Sequence, residues 1–186
     1  MSSQPVRHSF TVEDYYQMDA AGLFAPGQRL ELLGGEIIEM AAIGCRHAAT
    51  VDRLNWFFAH AVGERAIVRV QNPVRLNDLS ELQPDVTLLR WRGDFYRAKH
   101  PMPDDVLLMI EVSDTTVSWD RGTKRPYYAA AGITEMWIVD LTHDLVEVAT
   151  NPGSNDYRDV RQVRPGAVVA PVALPDVTLA VADLFS

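Results

Sequence analysis

The chain has 186 residues, of which 47% are apolar and 23% charged, an ordinary globular composition that leaves little room for disorder. Its net charge of −8 and isoelectric point near 5.0 argue against a domain that coats nucleic acid by bulk electrostatics, which needs a basic excess. One cysteine, Cys45, excludes an intrachain disulfide. No apolar run approaches the ~20 residues of a membrane helix, and MSSQPVRHSFTVEDYY has no apolar signal core, so a cytoplasmic protein is expected.

In chain order, residues 1–9 read as a loose arm. Thr11 is a natural N-cap, Glu13 and Asp14 suit a first helical turn, and Gly22 ends the helix. RLELLGGEIIEM places two alternating apolar runs around Gly34-Gly35, the pattern of a β-hairpin. From Arg46 to Val62 apolar positions recur at helical spacing, with Gly63 as the stop. AIVRVQNPVRL reads as one β-branched strand in which Pro73 points to a sheet edge or a bulge, followed by strands in PDVTLLRW and DDVLLMIEVS. The second of these is a continuous apolar run, which points to burial on both faces. Arg121 to Ala131 reads as a helix and EMWIVDL as a strand. LVEVAT, YRDVRQV and the runs after Pro165 read as a terminal meander, with a last helical turn at VADLF. The sum is one mixed α/β domain over 1–186: a central sheet flanked by helices, an N-terminal helix and hairpin, and a β-rich tail.

Three segments carry candidate chemistry. Asp85 follows Pro84 at the start of a predicted strand, although Pro-Asp also marks ordinary turns. Glu111 ends the apolar run VLLMI, where a carboxylate either emerges into solvent or is buried and needs a cation partner. SWDRGTKRPYYAAAG puts Asp120, Arg121, Lys124 and Arg125 at a helix start, where the dipole disfavours cations. They form either a solvated basic face or a set held there by an anion or by the preceding carboxylates. Of Tyr127 and Tyr128, one is expected to pack and the other to reach the site. If Asp85 and Glu111 meet at adjacent strand ends, they suit a hard divalent cation such as Mg2+ or Mn2+. Lys124 could then swing over them to orient water or stabilise phosphoryl charge.

The segments ELLGGEIIEM, RHAATVDRL, QPDVTLL, MIEVSDTT, WDRGTKRPYYAAAGITEMWIVD and LPDVTLAVADLF resemble, in this order, the Uma-type family of restriction-endonuclease-like proteins. That family is similar to the PD-(D/E)xK nuclease superfamily. The resemblance implies a restriction-endonuclease-like fold and a metal-dependent site with Asp85 and Glu111 as ligands. The superfamily's lysine falls where this chain has Ser113. Uma-type members supply it from the following helix, and Lys124 matches that position. The resemblance also implies a hairpin glutamate, matched by Glu31 or Glu36, with Glu36 carried as the site member, and a histidine opening the long helix, matched by His47.

Outside these segments, WRGDFYRAKH is a basic, aromatic loop in which Arg92, Arg97 and Lys99 could hold phosphates while Phe95 and Tyr96 stack on bases. The alternative is a solvated loop. Arg121, Arg125 and Tyr128 are further candidate nucleic-acid contacts. Cys45 has no accompanying base or oxyanion motif, and no histidine pair has metal-binding spacing. The expected function is a divalent-metal-dependent endonuclease acting on DNA, with a homodimer as a possible assembly. The alternative is a nuclease-fold module that binds nucleic acid or a protein partner without cutting.

Overall fold

The computed structural model describes residues 7–186, so most of the expected loose arm falls outside the described residues. Helix α1 (Val12–Ala20) opens with a reciprocal cap: Thr11 Oγ1 accepts from Asp14 N–H, and Asp14 Oδ2 accepts from Thr11 N–H. The hairpin strands β1 (Leu30–Leu33) and β2 (Glu36–Glu39) turn on Gly34 and Gly35, with φ of 61° and 80°. A Cβ on Gly34 would collide with the hydroxyl of Tyr127, so this glycine also lets the hairpin tip dock on a later helix.

Helix α2 (Cys45–Val62) leads into β3 (Ala66–Val70), β4 (Val74–Asn77), β5 (Ser80–Leu82), β6 (Val86–Arg90) and β7 (Val106–Ser113). Helix α3 (Val117–Trp119) passes through a π-helical turn (Asp120–Lys124) into α4 (Arg125–Ala130). In that turn Arg125 N–H bonds the Asp120 carbonyl, just ahead of Pro126, which has no N–H to give. Strands β8 (Glu135–Asp140), β9 (Leu145–Pro152) and β10 (Tyr157–Val163) follow, then the small pair β11 (Val168–Val169) and β12 (Leu179–Ala180) and a 3-10 turn (Val181–Leu184).

The main sheet has six strands in the order β10-β9-β8-β7-β6-β3, antiparallel except for the β7–β8 pair. Strand alternation divides its core in two. Leu88, Leu108, Ile110, Trp137 and Val139 face α2 and the C-terminal segment, meeting Leu54, Phe58 and Leu184. Leu89, Met109, Met136 and Ile138 face the other way, meeting Tyr128 of α4 and Leu33, Val74 and Leu82. Each of these fully buried side chains contributes roughly 1.5–3 kcal/mol. The last three belong to a four-stranded sheet of order β2-β1-β5-β4, packed against the main one.

One expectation changes. AIVRVQNPVRL is not one strand: Gln71 takes φ 51°, Pro73 offers no ladder donor, and β3 and β4 go to different sheets, each as the edge strand that Pro73 allowed for. LVEVAT and YRDVRQV form the expected meander, and it joins the main sheet: β9 and β10 continue it beside β8. The α/β class, with a mixed central sheet flanked by helices, stands.

Candidate active site

The β6–β7 register pairs Val86 with Ile110, so Asp85 lies one step further on, opposite Glu111. The alternation that buries Met109 turns Glu111 to the same face of the sheet, under α4 and the hairpin. The π-turn brings Lys124 over that face, and the hairpin brings Glu31. The first turn of α2 brings His47 to the open end of the strands. Asp85, Glu111, Asp120, Lys124 and His47 line one cleft of about 190 Å³.

Lys124 is 1% exposed, and its Nζ lies 3.1 Å from Glu31 Oε2 and 3.2 Å from Glu111 Oε1. Tyr128, fully buried, donates to the same Glu111 Oε1 at 2.6 Å. Glu31 also accepts from Gln83 N–H at 2.8 Å. Within this cluster Asp85 is the most heavily bonded carboxylate. Its Oδ2 accepts from Val112 N–H at 2.9 Å and from His47 Nε2 at 3.0 Å, and its Oδ1 from Gln71 at 3.1 Å. Because ionised Asp85 only accepts, His47 Nε2 carries the proton; His47 Nδ1 is buried without a partner. Asp120 Oδ2 accepts from both Ser113 and Thr116 at 2.7 Å. Ser113, at the superfamily's lysine position, thus anchors the turn from which Lys124 projects.

Burial alone would raise the pKa of Asp85, but the bond and charge of His47, with Val112 N–H and Gln71, outweigh it and hold the carboxyl below its ordinary value. Glu111 goes the other way. Burial pushes it up to about 8 despite the attraction of Lys124, and Asp85, Asp120 and Glu31 push in the same direction. Burial also raises Asp120, against the pull of Lys124. Burial works against the charge on Lys124, yet Glu111, Glu31 and Asp120 more than offset it and raise its pKa. Four buried carboxylates therefore face one buried ammonium.

The structure does not bring every candidate here. Glu36 shares a hairpin face with Glu31 but lies at the turn end of the outer strand, opposite Leu33; it is exposed and pairs with Arg7. The hairpin member of the cluster is Glu31. The 91–100 loop leaves the far end of β6: five residues at about 3.3 Å each put it roughly 17 Å from Asp85. Within it, Arg92 is tied to Asp94 at 2.8 Å and Tyr96 is buried, bonding the Arg90 carbonyl, while Arg97 and Lys99 stay exposed. Arg121 and Arg125 project from the opposite side of the π-turn, onto β9. Arg121 pairs with Asp140 at 2.7 Å and Glu147 at 3.0 Å, and Arg125 with Asp156 at 2.8 Å, so both are engaged inside the protein. Tyr128 meets Glu111 and not solvent. Asp120 and Gln71 had no sequence signal beyond their nearness to better candidates.

Among the described residues, no three His, Cys, Asp or Glu side chains converge into a closed metal cage. The donor set is two carboxylates on neighbouring strands, and all bonds to Glu111 go to Oε1, leaving Oε2 without a donor among the described residues. Such an open oxygen set fits magnesium or manganese, which keep several waters, and a cation there would offset the surplus of buried negative charge.

The family model Uma2, described as "Putative restriction endonuclease", matches residues 12–182. A crystal structure from Anabaena variabilis, described as a "putative nuclease" of the DUF820 family, is similar with a TM-score of 0.73 and 18% identity, over 95% of this chain and 97% of that one. Identity that low speaks for the fold alone. No curated protein matches the chain. Among the described residues, no helix is long and apolar enough to cross a membrane. With nearly its whole length matched, the chain belongs to the Uma2 family, whose description is that of a restriction endonuclease.

Proposed function

We propose that the protein is a divalent-metal-dependent endonuclease that hydrolyses DNA phosphodiester bonds. The observation that carries this reading is the convergence of Asp85, Glu111 and Lys124, from two strand ends and one helix turn, in a single cleft. Asp85 and Glu111 would hold the magnesium or manganese ion. When bound, that ion polarises a phosphoryl oxygen and lowers the pKa of a water. His47, Gln71 and Val112 N–H fix the orientation of Asp85. Tyr128 and Lys124 hold Glu111 by one oxygen, which turns the other to the cleft. The Lys124 ammonium, kept charged by its carboxylate neighbours, orients the attacking water and stabilises the negative charge that grows on the phosphoryl group. The water oxygen bonds phosphorus, the ester P–O bond breaks, and the leaving oxygen takes up a proton. Cutting both strands calls for two such clefts, so a homodimer belongs to the proposal, and light scattering in solution reads it.

Supercoiled plasmid incubated with protein and Mg2+ or Mn2+ tests this. Nicking is expected with either metal, none with EDTA, and none from Asp85→Ala with an unchanged circular dichroism spectrum. Full cleavage by Asp85→Ala sinks the assignment. A second reading, binding without cutting, is favoured by Ser113 at the superfamily's lysine position and by the two carboxylates that already occupy Lys124. It expects no cleavage with any metal and DNA binding that survives Asp85→Ala.

A further inference from the structure

Glu81 is another buried carboxylate outside the cluster. It is 4% exposed and sits on β5 opposite Leu32 and Arg75. Glu31 is the residue before Leu32, so strand alternation points Glu81 away from Lys124, to the face covered by α1. Tyr16 donates its hydroxyl to Glu81 Oε1, and Oε2 accepts no hydrogen bond among the described residues. That oxygen is not sealed from solvent, so it is open to a donor from outside the chain.

Two cavities meet at this carboxylate. One, of about 520 Å³, is walled by Tyr15, Tyr16, Phe24 and His100; the other, of about 430 Å³, lies between Tyr16, Arg97 and Lys99. The Tyr16 and His100 rings are nearly parallel, at 10°, and present flat π surfaces. The nearby ion pairs are Arg75–Asp78 and Arg92–Asp94, and Arg97 and Lys99 take part in none among the described residues. A free carboxylate acceptor, flat aromatic walls and two unneutralised cations are the three elements that hold, in turn, the N–H edge, the ring and the phosphate of a nucleotide. Arg29 and Gln83 line both the larger cavity and the active-site cleft, so the two share a wall.

We propose that this is a base pocket for a nucleotide of the substrate strand outside the cleft that holds the scissile bond, selective for bases that present N–H donors, guanine above all. Guanine offers N1–H and an amino group side by side to a carboxylate. Cytosine and adenine offer one amino group, and thymine places carbonyls on both sides of its single N–H. The pocket rests on the nuclease reading only in placing that nucleotide on the substrate strand.

The test is a titration of dGMP, dCMP, dAMP and dTMP, followed by NMR, into Asp85→Ala protein in EDTA. Neither metal nor cleavage enters, so failure here counts against the pocket alone, while failure of plasmid cleavage leaves it standing. dGMP is expected to bind at least ten-fold more tightly than dTMP. Glu81→Gln, which keeps an acceptor for Tyr16, is expected to lose at least ten-fold for dGMP. His100→Ala, at a partly exposed ring, is expected to weaken all four nucleotides should Glu81→Gln fail to fold. Arg97→Ala with Lys99→Ala is expected to weaken dGMP but not deoxyguanosine. Equal affinity for the four nucleotides, no binding at all, or dGMP binding indifferent to both Glu81→Gln and His100→Ala overturns the pocket.

Discussion

The two sides of the 120–125 turn use the same chemistry to opposite ends. On one side Lys124 is sealed among Glu31, Glu111 and Asp120, with more buried negative charge than it can neutralise and an open cleft beside it. On the other, Arg121 and Arg125 meet Asp140, Glu147 and Asp156 in pairs that leave no obvious acceptor idle: Glu147 also takes a bond from Gln162, and Asp140 from Thr142 and His143. A satisfied ion network holds a helix to a sheet. An unsatisfied one, facing solvent through a cleft, is poised to take a cation and a substrate. Net charge in the basic stretch does not distinguish them; the balance around each cation does.

The comparison breaks first at Lys124. Lys124→Met is expected to cut plasmid cleavage about 100- to 1,000-fold, the cost of losing a preorganised donor to transition-state charge. Arg121→Met is expected to leave cleavage within about three-fold. Equal losses in the two variants would erase the distinction between the sides.

Stability gives the next contrast. Arg121→Ala leaves Asp140 and Glu147 buried without their partner, and a cost of about 2 kcal/mol is expected in denaturant unfolding, below the range for fully buried pairs because Arg121 is partly exposed. A shift of less than a few tenths would mean that the network is surface decoration.

The two sides should also differ in sign with pH. Asp140 and Asp156 titrate below their ordinary values: burial opposes the shift, but His143 and Arg125 respectively outweigh it. Their contribution is present above the unfolded aspartate pKa, near 4, and is lost as pH falls through the lower folded values. Glu111, raised to about 8 by burial, does the reverse in metal-free protein. The folded state keeps a proton the unfolded chain has released, so stability declines as pH climbs from about 4.5 to 8. Melting in EDTA is expected to show Glu111→Gln gaining on wild type at pH 8 relative to pH 5. A constant difference across that range would contradict the raised pKa.

The smallest effect separates the two hairpin glutamates. Glu36→Gln is expected to change stability by less than about 0.5 kcal/mol and cleavage not at all. Glu31→Gln, which removes one charge from Lys124, should lower cleavage measurably. The reverse outcome would restore Glu36 to the site.

Much of the scaffold was legible because its signals are local. The Thr11–Asp14 cap, the Gly34-Gly35 turn and the period-2 runs of β6 and β7 depend on neighbours in sequence, and they locate Asp85 and Glu111 at one sheet end. What was not legible depends on distant partners. The split of β3 from β4 turns on a left-handed Gln71 and on which sheet each strand joins. The roles of Arg121 and Arg125 are set by carboxylates on β8, on β9 and just ahead of β10, 19 to 31 residues on, and by a π-turn no periodicity announces. The basic 91–100 loop looked adjacent to Asp85 because both flank β6, but a strand separates its two ends in space. Of the hairpin's two glutamates, the register singles out Glu31.

The most direct measurement is a crystal soaked in manganese, read by anomalous scattering. The account predicts one peak between Asp85 and Glu111, with Lys124 Nζ close enough to share a water with the ion, and no peak in Asp85→Ala crystals. Manganese absent from that cleft at saturating concentration, or bound equally well without Asp85, would contradict it.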